Sequence, residues 1–292
     1  MNLYQIQSQF NSEQDFHDHL VDLRWSGEIK CTFCESSNVH NRKSSCRFKC
    51  NDCGKSFSST SGTILHNTKL PLSKWFMAIS IILNAKKGIS SLQLSRTIGV
   101  NKNTAWFMQM RLRKAMKEDV TLGGLIEVDE TYVGGALGNM PKKIKKKKNP
   151  YKSGMVHKMP VLGIIERGGK RVLKVIPHAN GAIIKPILFD KIEKNSKIIT
   201  DGFGGYYGLG NHFKHHIKLN HEKKQLKWGR YNLSSVEGFF STIKRAVVGQ
   251  YHKLSFQHLQ SYMDEIDFKY NNSSEDMFEL LLKRCLSSSA VN

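Results

Sequence analysis

Two knuckles of the form Cys-x-x-Cys, Cys31-Thr-Phe-Cys34 and Cys50-Asn-Asp-Cys53, stand 15 residues apart. That spacing lets two tight turns close four thiolates around one tetrahedral Zn²⁺, which fixes the local chain without a large core. Four sulfur ligands leave no open position for water, so the expected ion is structural rather than catalytic. Five of the six cysteines fall within 23 residues. Disulfides explain that clustering poorly, whereas a metal site in a reducing compartment explains it directly. Cys46 competes with Cys50 as a ligand, but the x-x pairing has the better geometry, so Cys46 is expected as a free thiol and Cys285 as a small buried residue of a terminal helix. Arg42, Lys43, Arg47, Lys49 and Lys55 are interleaved with Phe48 and Phe57, a setting for phosphate contact or for a plain solvated face.

The rest of the chain is also basic: 45 Lys and Arg stand against 24 Asp and Glu, a formal charge of +21 over 292 residues. Such an excess favours a polyanionic partner. No apolar run approaches the ~18 residues of a membrane span, and the polar N-terminus lacks a signal-peptide pattern. Nucleic acid is therefore the expected polyanion, with no membrane, and the expected location is the cytoplasm in association with the nucleoid, or the nucleus in a eukaryotic host. Lys142 to Lys148 holds six lysines in seven residues; it reads either as a solvated loop or as a direct DNA contact.

Phe16, Leu20 and Leu23 recur at helical spacing behind a capping Ser12, and helical patterns return from Ser73 to Leu83 and from Ser90 to Lys117. The last of these is broken at Gly99-Val100, where a sharp turn needs a residue without Cβ. A helix-turn-helix follows from that pattern. Its second helix would present Lys102, Asn103, Gln109, Arg111 and Arg113 to a major groove; a packing unit with no DNA role is the alternative. From Gly124 the texture changes to short Val- and Ile-rich runs, in the order three strands, helix, strand, irregular piece, strand, helix. The expected fold class is therefore α/β, a ribonuclease-H-like core preceded by a zinc ribbon and a helix-turn-helix. The expected domains are 1–66 for an N-terminal helix and the ribbon, 67–121 for the helix-turn-helix, and 122–292 for the core with the C-terminal helices.

Carboxylates interrupt the apolar runs of that core. In Leu125 to Val133, period 2 places Glu127, Asp129 and Thr131 on one face and Val128, Glu130 and Tyr132 on the other. A mid-strand acid must turn outward or meet a cation, and Asp129 is central enough to be a ligand. Asp201 ends the fourth strand before a glycine turn, where α/β folds display active groups, although a turn-capping Asp reads the same way. Glu237 lies off the apolar stripe Val236, Phe239, Phe240, Ile243 and Val247, in line with Ser241 and Lys244. It serves either as a third ligand or as a charge matched to the helix dipole. Together, Asp129, Asp201 and Glu237 would hold two divalent ions, Mg²⁺ or Mn²⁺, for phosphoryl transfer.

These residues resemble the DDE transposases of bacterial insertion sequences of the ISXO type, with their transposase zinc ribbon. The likeness rests on Arg24-Trp25, Ser61-Gly-Thr-Ile64, Val128-Asp-Glu-Thr-Tyr-Val-Gly-Gly135, Thr200-Asp-Gly202 with Tyr206, Asn220-His221, Val236 to Arg245, His258-Leu259 and Phe268-Lys-Tyr-Asn271. It implies that Asp129, Asp201 and Glu237 are catalytic and that His221 assists near them; Lys244, on the helix face of Glu237, and Arg245 beside it are expected along a DNA path. It also implies double-stranded DNA partners, the terminal inverted repeats of an element and its target, handled by a homo-oligomer. Ser234 and Ser273 depart from the family's usual Asn and Arg, which leaves a catalytically inactive or domesticated DNA-binding regulator as the alternative.

Overall fold

A computed structural model describes residues 1–42, 46–134, 158–219, 227–251 and 254–287. The lysine run 142–148 and the pair Asn220-His221 lie outside them. The described chain forms two compact units, residues 1–117 with 272–292 and residues 118–271.

The first unit opens with helices α1 (Leu3–Gln9) and α2 (Glu13–Trp25), each started by a capping box, at Asn2 and Ser12. The strands β1 (Val39–Arg42), β2 (Arg47–Cys50) and β3 (Ser56–Phe57) form an antiparallel ribbon in that order. Phe48 pairs with Phe57 in the β2–β3 register, and Trp25 of α2 packs edge-on to both rings at 5.8 and 6.1 Å. Helix α3 (Leu72–Asn84) is apolar nearly all round and is accordingly buried, with Trp75, Phe76, Ile79 and Ile82 each no more than 2 % exposed. Helices α4 (Ser91–Ile98) and α5 (Lys102–Ala115) meet at Gly99, whose φ of +65° ends α4 in the left-handed region as the sequence requires. Lys74 closes the turn by donating to the carbonyls of Ile98 and Gly99 at 3.0 and 2.7 Å.

The C-terminal helix α9 (Met277–Ser287) groups outside the sheet-bearing unit. It belongs to the first unit because its buried face, Phe278, Leu281, Leu282 and Cys285, packs on α2, α3 and α5. Phe278 meets Phe76 edge-on at 5.6 Å, and His19 bonds Glu279 at 3.1 Å. The same unit takes in both the ribbon and the helical pair, which the sequence assigned to separate domains.

The second unit is built on strands β4 (Leu125–Val133), β5 (Met159–Glu166), β6 (Arg171–Val175), β7 (Lys197–Thr200) and β8 (His215–Lys218), in the spatial order β6-β5-β4-β7-β8. Strands β4, β5 and β6 run antiparallel, whereas β7 and β8 run parallel to β4. Between β6 and β7 the helix α6 (Gly181–Lys191) covers one face, burying Ile184 and Leu188 with Ile126, Val128, Leu162, Ile164 and Ile198. A hairpin of β9 (Lys227–Trp228) and β10 (Tyr231–Asn232) then leads into α7 (Ser234–Ala246) and α8 (Leu259–Asn271). These helices cover the opposite face, where Val236, Phe239, Phe240, Ile243 and Met263 meet Val161, Ile165, Leu173, Ile199 and Ile217. The apolar stripe read from the sequence of α7 is the face that packs.

Gly163 lets α7 come close. A Cβ there would meet the Phe240 ring at 2.8 Å and Val236 Cγ2 at 3.0 Å, and Gly163 is the register partner of Asp129. Among the described residues, no helix is long and apolar enough to cross a membrane.

Candidate active site and metal centre

In the ribbon, Cys31, Cys34, Cys50 and Cys53 bring their sulfurs within 4.8 Å of one another, with Cys31–Cys53 at 3.7 Å and Cys34–Cys50 at 3.6 Å. A tetrahedron of Zn–S bonds has sulfurs about 3.8 Å apart, so the four thiols fit one zinc ion. Cys46 stands outside the group as the spacing argument requires, its thiol donating to Gln14 Oε1 at 2.8 Å. Cys285 is fully buried, and burial pushes its thiol well above the ordinary range. His212, His215 and His216 do not converge with acids or cysteines among the described residues. His212 stacks on Phe189 at 3.9 Å, and His216 Nε2 bonds the Thr200 hydroxyl at 2.9 Å.

The carboxylates are organised by β4. Both of its faces are covered, so burial does not alternate along it, but the faces divide with period 2: Val128 lies in the α6-side core, and Val133 in the α7-side core with the face that carries Glu127, Asp129 and Thr131. The parallel register pairs Ile126 with Ile198 and Glu127 with Ile199. The pairing ends there, and Asp201 follows Thr200, the last residue of β7. Both acids are partly exposed, and Asp201 Oδ1 also caps its own turn, accepting from the Phe203 amide at 3.0 Å.

Glu130 points the other way, into the neighbourhood of the buried Tyr206. Burial raises its carboxyl to about 7, and the charges of Asp129 and Asp201 add to the effect. The Tyr206 hydroxyl acts in the opposite sense, although neither it nor Glu130 Oε1 meets hydrogen-bond geometry with a partner. The aspartates themselves, both partly exposed, offer the hard oxygen donors that suit a divalent cation.

Glu237 is exposed in the first turn of α7, with its amide bonded to the Leu233 carbonyl at 3.0 Å. Among the described residues, Asp129, Asp201 and Glu237 do not converge as tightly as the four thiols do. Asp129 lies on β4, Asp201 just past the end of β7, and Glu237 on α7. Lys244 and Arg245 are exposed further along α7, Arg245 bonding Thr242 at 3.1 Å.

Glu127 has an unexpected role. It is fully buried and satisfied by five hydrogen bonds: Arg167 Nη2 and Nε at 2.6 and 2.9 Å, the Ser235 amide and hydroxyl both at 2.9 Å, and the Val236 amide at 3.1 Å. Neither Arg167 nor this role for Glu127 emerged from the sequence. Its one signal was a charged residue among apolar neighbours in mid-strand.

Of the expected DNA-facing donors, Lys102 and Asn103 are exposed at the start of α5. Arg111 is exposed but donates to the carbonyls of Ile64 and His66 at 3.2 and 3.4 Å. Arg113 requires correction. It is 1 % exposed and cannot reach a groove, because it continues the four-residue spacing of Ala105 and Gln109 on the inward face of α5. Gln109 is buried likewise, tied to Ser91 and to the Ile89 carbonyl, each at 2.8 Å.

Comparison with known proteins supports the assignment of both units. The family described as ISXO2-like transposase domain matches residues 121–271, just over half of the chain, and the transposase zinc-ribbon domain matches residues 11–56. An uncharacterized protein in transposable element ISH50 of Halobacterium salinarum is 27 % identical over 212 residues, covering 68 % of this chain and 70 % of its own. An uncharacterized transposase-like protein of Haemophilus influenzae is 25 % identical over 117 residues, 40 % of this chain and 94 % of its own. With a Cys₄ ribbon in one unit and an acid-bearing mixed sheet in the other, the chain belongs to the ISXO2-like transposase family of insertion sequences.

Proposed function

We propose that this chain is an active DNA transposase that cleaves the ends of its element and joins them to target DNA, using Asp129, Asp201 and Glu237. What supports this reading is that Asp129 lies on β4, that Asp201 directly follows β7, the neighbouring parallel strand, and that the charges of both act on Glu130. The order β6-β5-β4-β7-β8, with β5 and β6 antiparallel to β4, supports a ribonuclease-H-like core.

Asp129 and Asp201 supply hard oxygen ligands for Mg²⁺ or Mn²⁺, and Glu237 closes the site from α7. When bound, two such ions supply Lewis acidity to the attacking hydroxyl and to the leaving oxygen. Lys244 and Arg245, about two turns beyond Glu237, hold the phosphate backbone of the DNA strand. In the first unit, α4 and α5 act as a helix-turn-helix, with Lys102 and Asn103 reaching the groove and Arg111 at its margin. The zinc ribbon stiffens the basic surface beside them, and terminal inverted repeats are its duplex ligand. Two ends must be held together, so the working form on DNA is a homo-oligomer.

The test is cleavage of duplexes carrying the element's own ends in Mg²⁺, with wild type compared with Asp129→Ala, Asp201→Ala and Glu237→Ala. Wild type is expected to nick these ends, and each variant to bind them without nicking. Binding by wild type with no cleavage in Mg²⁺ or Mn²⁺ would replace this reading with that of a DNA-binding regulator.

A further inference from the structure

The helix that carries Glu237 starts without a cap of its own. Leu233 occupies the N-cap position and offers no side-chain acceptor, although the first amides of a helix need one. The acceptor comes instead from the sheet: Glu127 takes the Ser235 and Val236 amides, and its negative charge lies at the positive end of the helix dipole. Arg167, in the turn after β5, fixes the other side of that carboxylate. It then donates to the carbonyls of Arg230 and Asn232 at 2.8 and 3.0 Å and to Asn232 Oδ1 at 3.2 Å, which ties down the strand leading into α7. Asn232 Oδ1 accepts in turn from the Ser234 amide at 3.1 Å.

The position of this clamp sets its consequence. Glu127 lies two residues before Asp129 on the same face of β4, about 7 Å along the strand. The amides it holds immediately precede Glu237 in α7. One buried carboxylate therefore fixes the distance between the acid on the sheet and the acid on the helix. All its lone pairs are engaged within the protein, so it is not itself a metal ligand.

We propose that Glu127 and Arg167 are positioning residues that set Glu237 against Asp129 and Asp201 for divalent-ion binding. This rests on the three acids being the metal site. A group that orients a metal ligand typically contributes 10–100-fold in metal affinity.

The test uses the full chain and three variants: Glu127→Gln, Arg167→Lys and Ser235→Ala. Ser235 is exposed, so the last variant keeps the fold even if a change at the buried pair does not. Mn²⁺ binding is read by electron paramagnetic resonance of the free ion, beside affinity for end DNA and thermal unfolding. Glu127→Gln and Arg167→Lys are expected to weaken Mn²⁺ binding by about 10-fold or more, and to raise the Mg²⁺ needed for cleavage, with DNA affinity unchanged. Ser235→Ala is expected to shift both in the same direction by about 3-fold, a fraction of that effect. A merely structural role would lower the unfolding temperature and leave Mn²⁺ affinity at the wild-type value in every variant that folds, which would overturn the proposal. Glu237→Ala separates the two readings. If it binds Mn²⁺ as wild type does, the triad itself fails; if it loses Mn²⁺ while Ser235→Ala and the folded clamp variants do not, the clamp alone fails.

Discussion

Lys102 and Arg113 sit on one helix with the same charge and opposite fates. Lys102 is exposed at the first turn of α5, and Arg113 is among the most deeply buried large side chains of the protein. Lys102→Ala should weaken duplex binding about equally across sequences and lower the slope of log affinity against log salt by about 1. Arg113→Ala should leave that slope unchanged and act on stability instead; titrating binding between low and moderate salt distinguishes the two. The inward turn of Gln109 and Arg113 was legible in principle, since Ala105, Gln109 and Arg113 recur every four residues. Polar side chains at those positions hid the stripe from a reading based on apolar residues alone. Glu127 was hidden for another reason. Period 2 gave its face correctly, but its partners are 40 residues away at Arg167 and 108 away at Ser235, and no local pattern carries that information.

The packing of α7 on the sheet depends on a missing side chain. Gly163 lies opposite Asp129 and under Phe240 and Val236, so Gly163→Ala forces the helix or its rings to shift. The expected cost is about 1–3 kcal/mol of unfolding free energy, measured by denaturant titration, together with weaker Mn²⁺ binding because α7 carries Glu237. Wild-type stability with wild-type metal affinity would show that the helix has room to spare. Elements of this length were the most readable part of the chain. The capped helix after Ser12, the break at Gly99 and the succession of strands and helices along the core follow from periodicity and turn chemistry. Short pieces were not: α1 and the β9–β10 hairpin are too brief for a period to register.

At the scale of the whole chain, two units share the work, and the sequence located their joint near residue 121 while the structure puts it after Lys117. It gave no hint that α9 returns to the first unit, because an amphipathic helix announces a buried face but not its partner. Several marks of the family resemblance are structural within their own unit. Tyr270 covers the Arg171 guanidinium at 3.3 Å, and Asn271 bonds the Arg171 backbone through both ends of its amide, at 3.0 and 2.9 Å. The zinc site is the metal dependence that belongs to the first unit. Purified protein should carry about one zinc per chain by elemental analysis, and Cys50→Ser should lose both the zinc and end-DNA binding. Retained zinc in that variant would mean that Cys46 had taken its place.

On the proposed function, three acids in one unit turn a DNA-binding protein into one that rejoins DNA. Strand transfer in Mg²⁺ tests it most directly, with labelled element ends, a target duplex, and wild type beside Asp129→Ala, Asp201→Ala and Glu237→Ala. Wild type is expected to join the labelled 3′ ends covalently to the target, and each variant to bind the ends without detectable joining, because a lost ligand removes the metal's Lewis acidity. Joining that survives loss of any one of the three acids would contradict it.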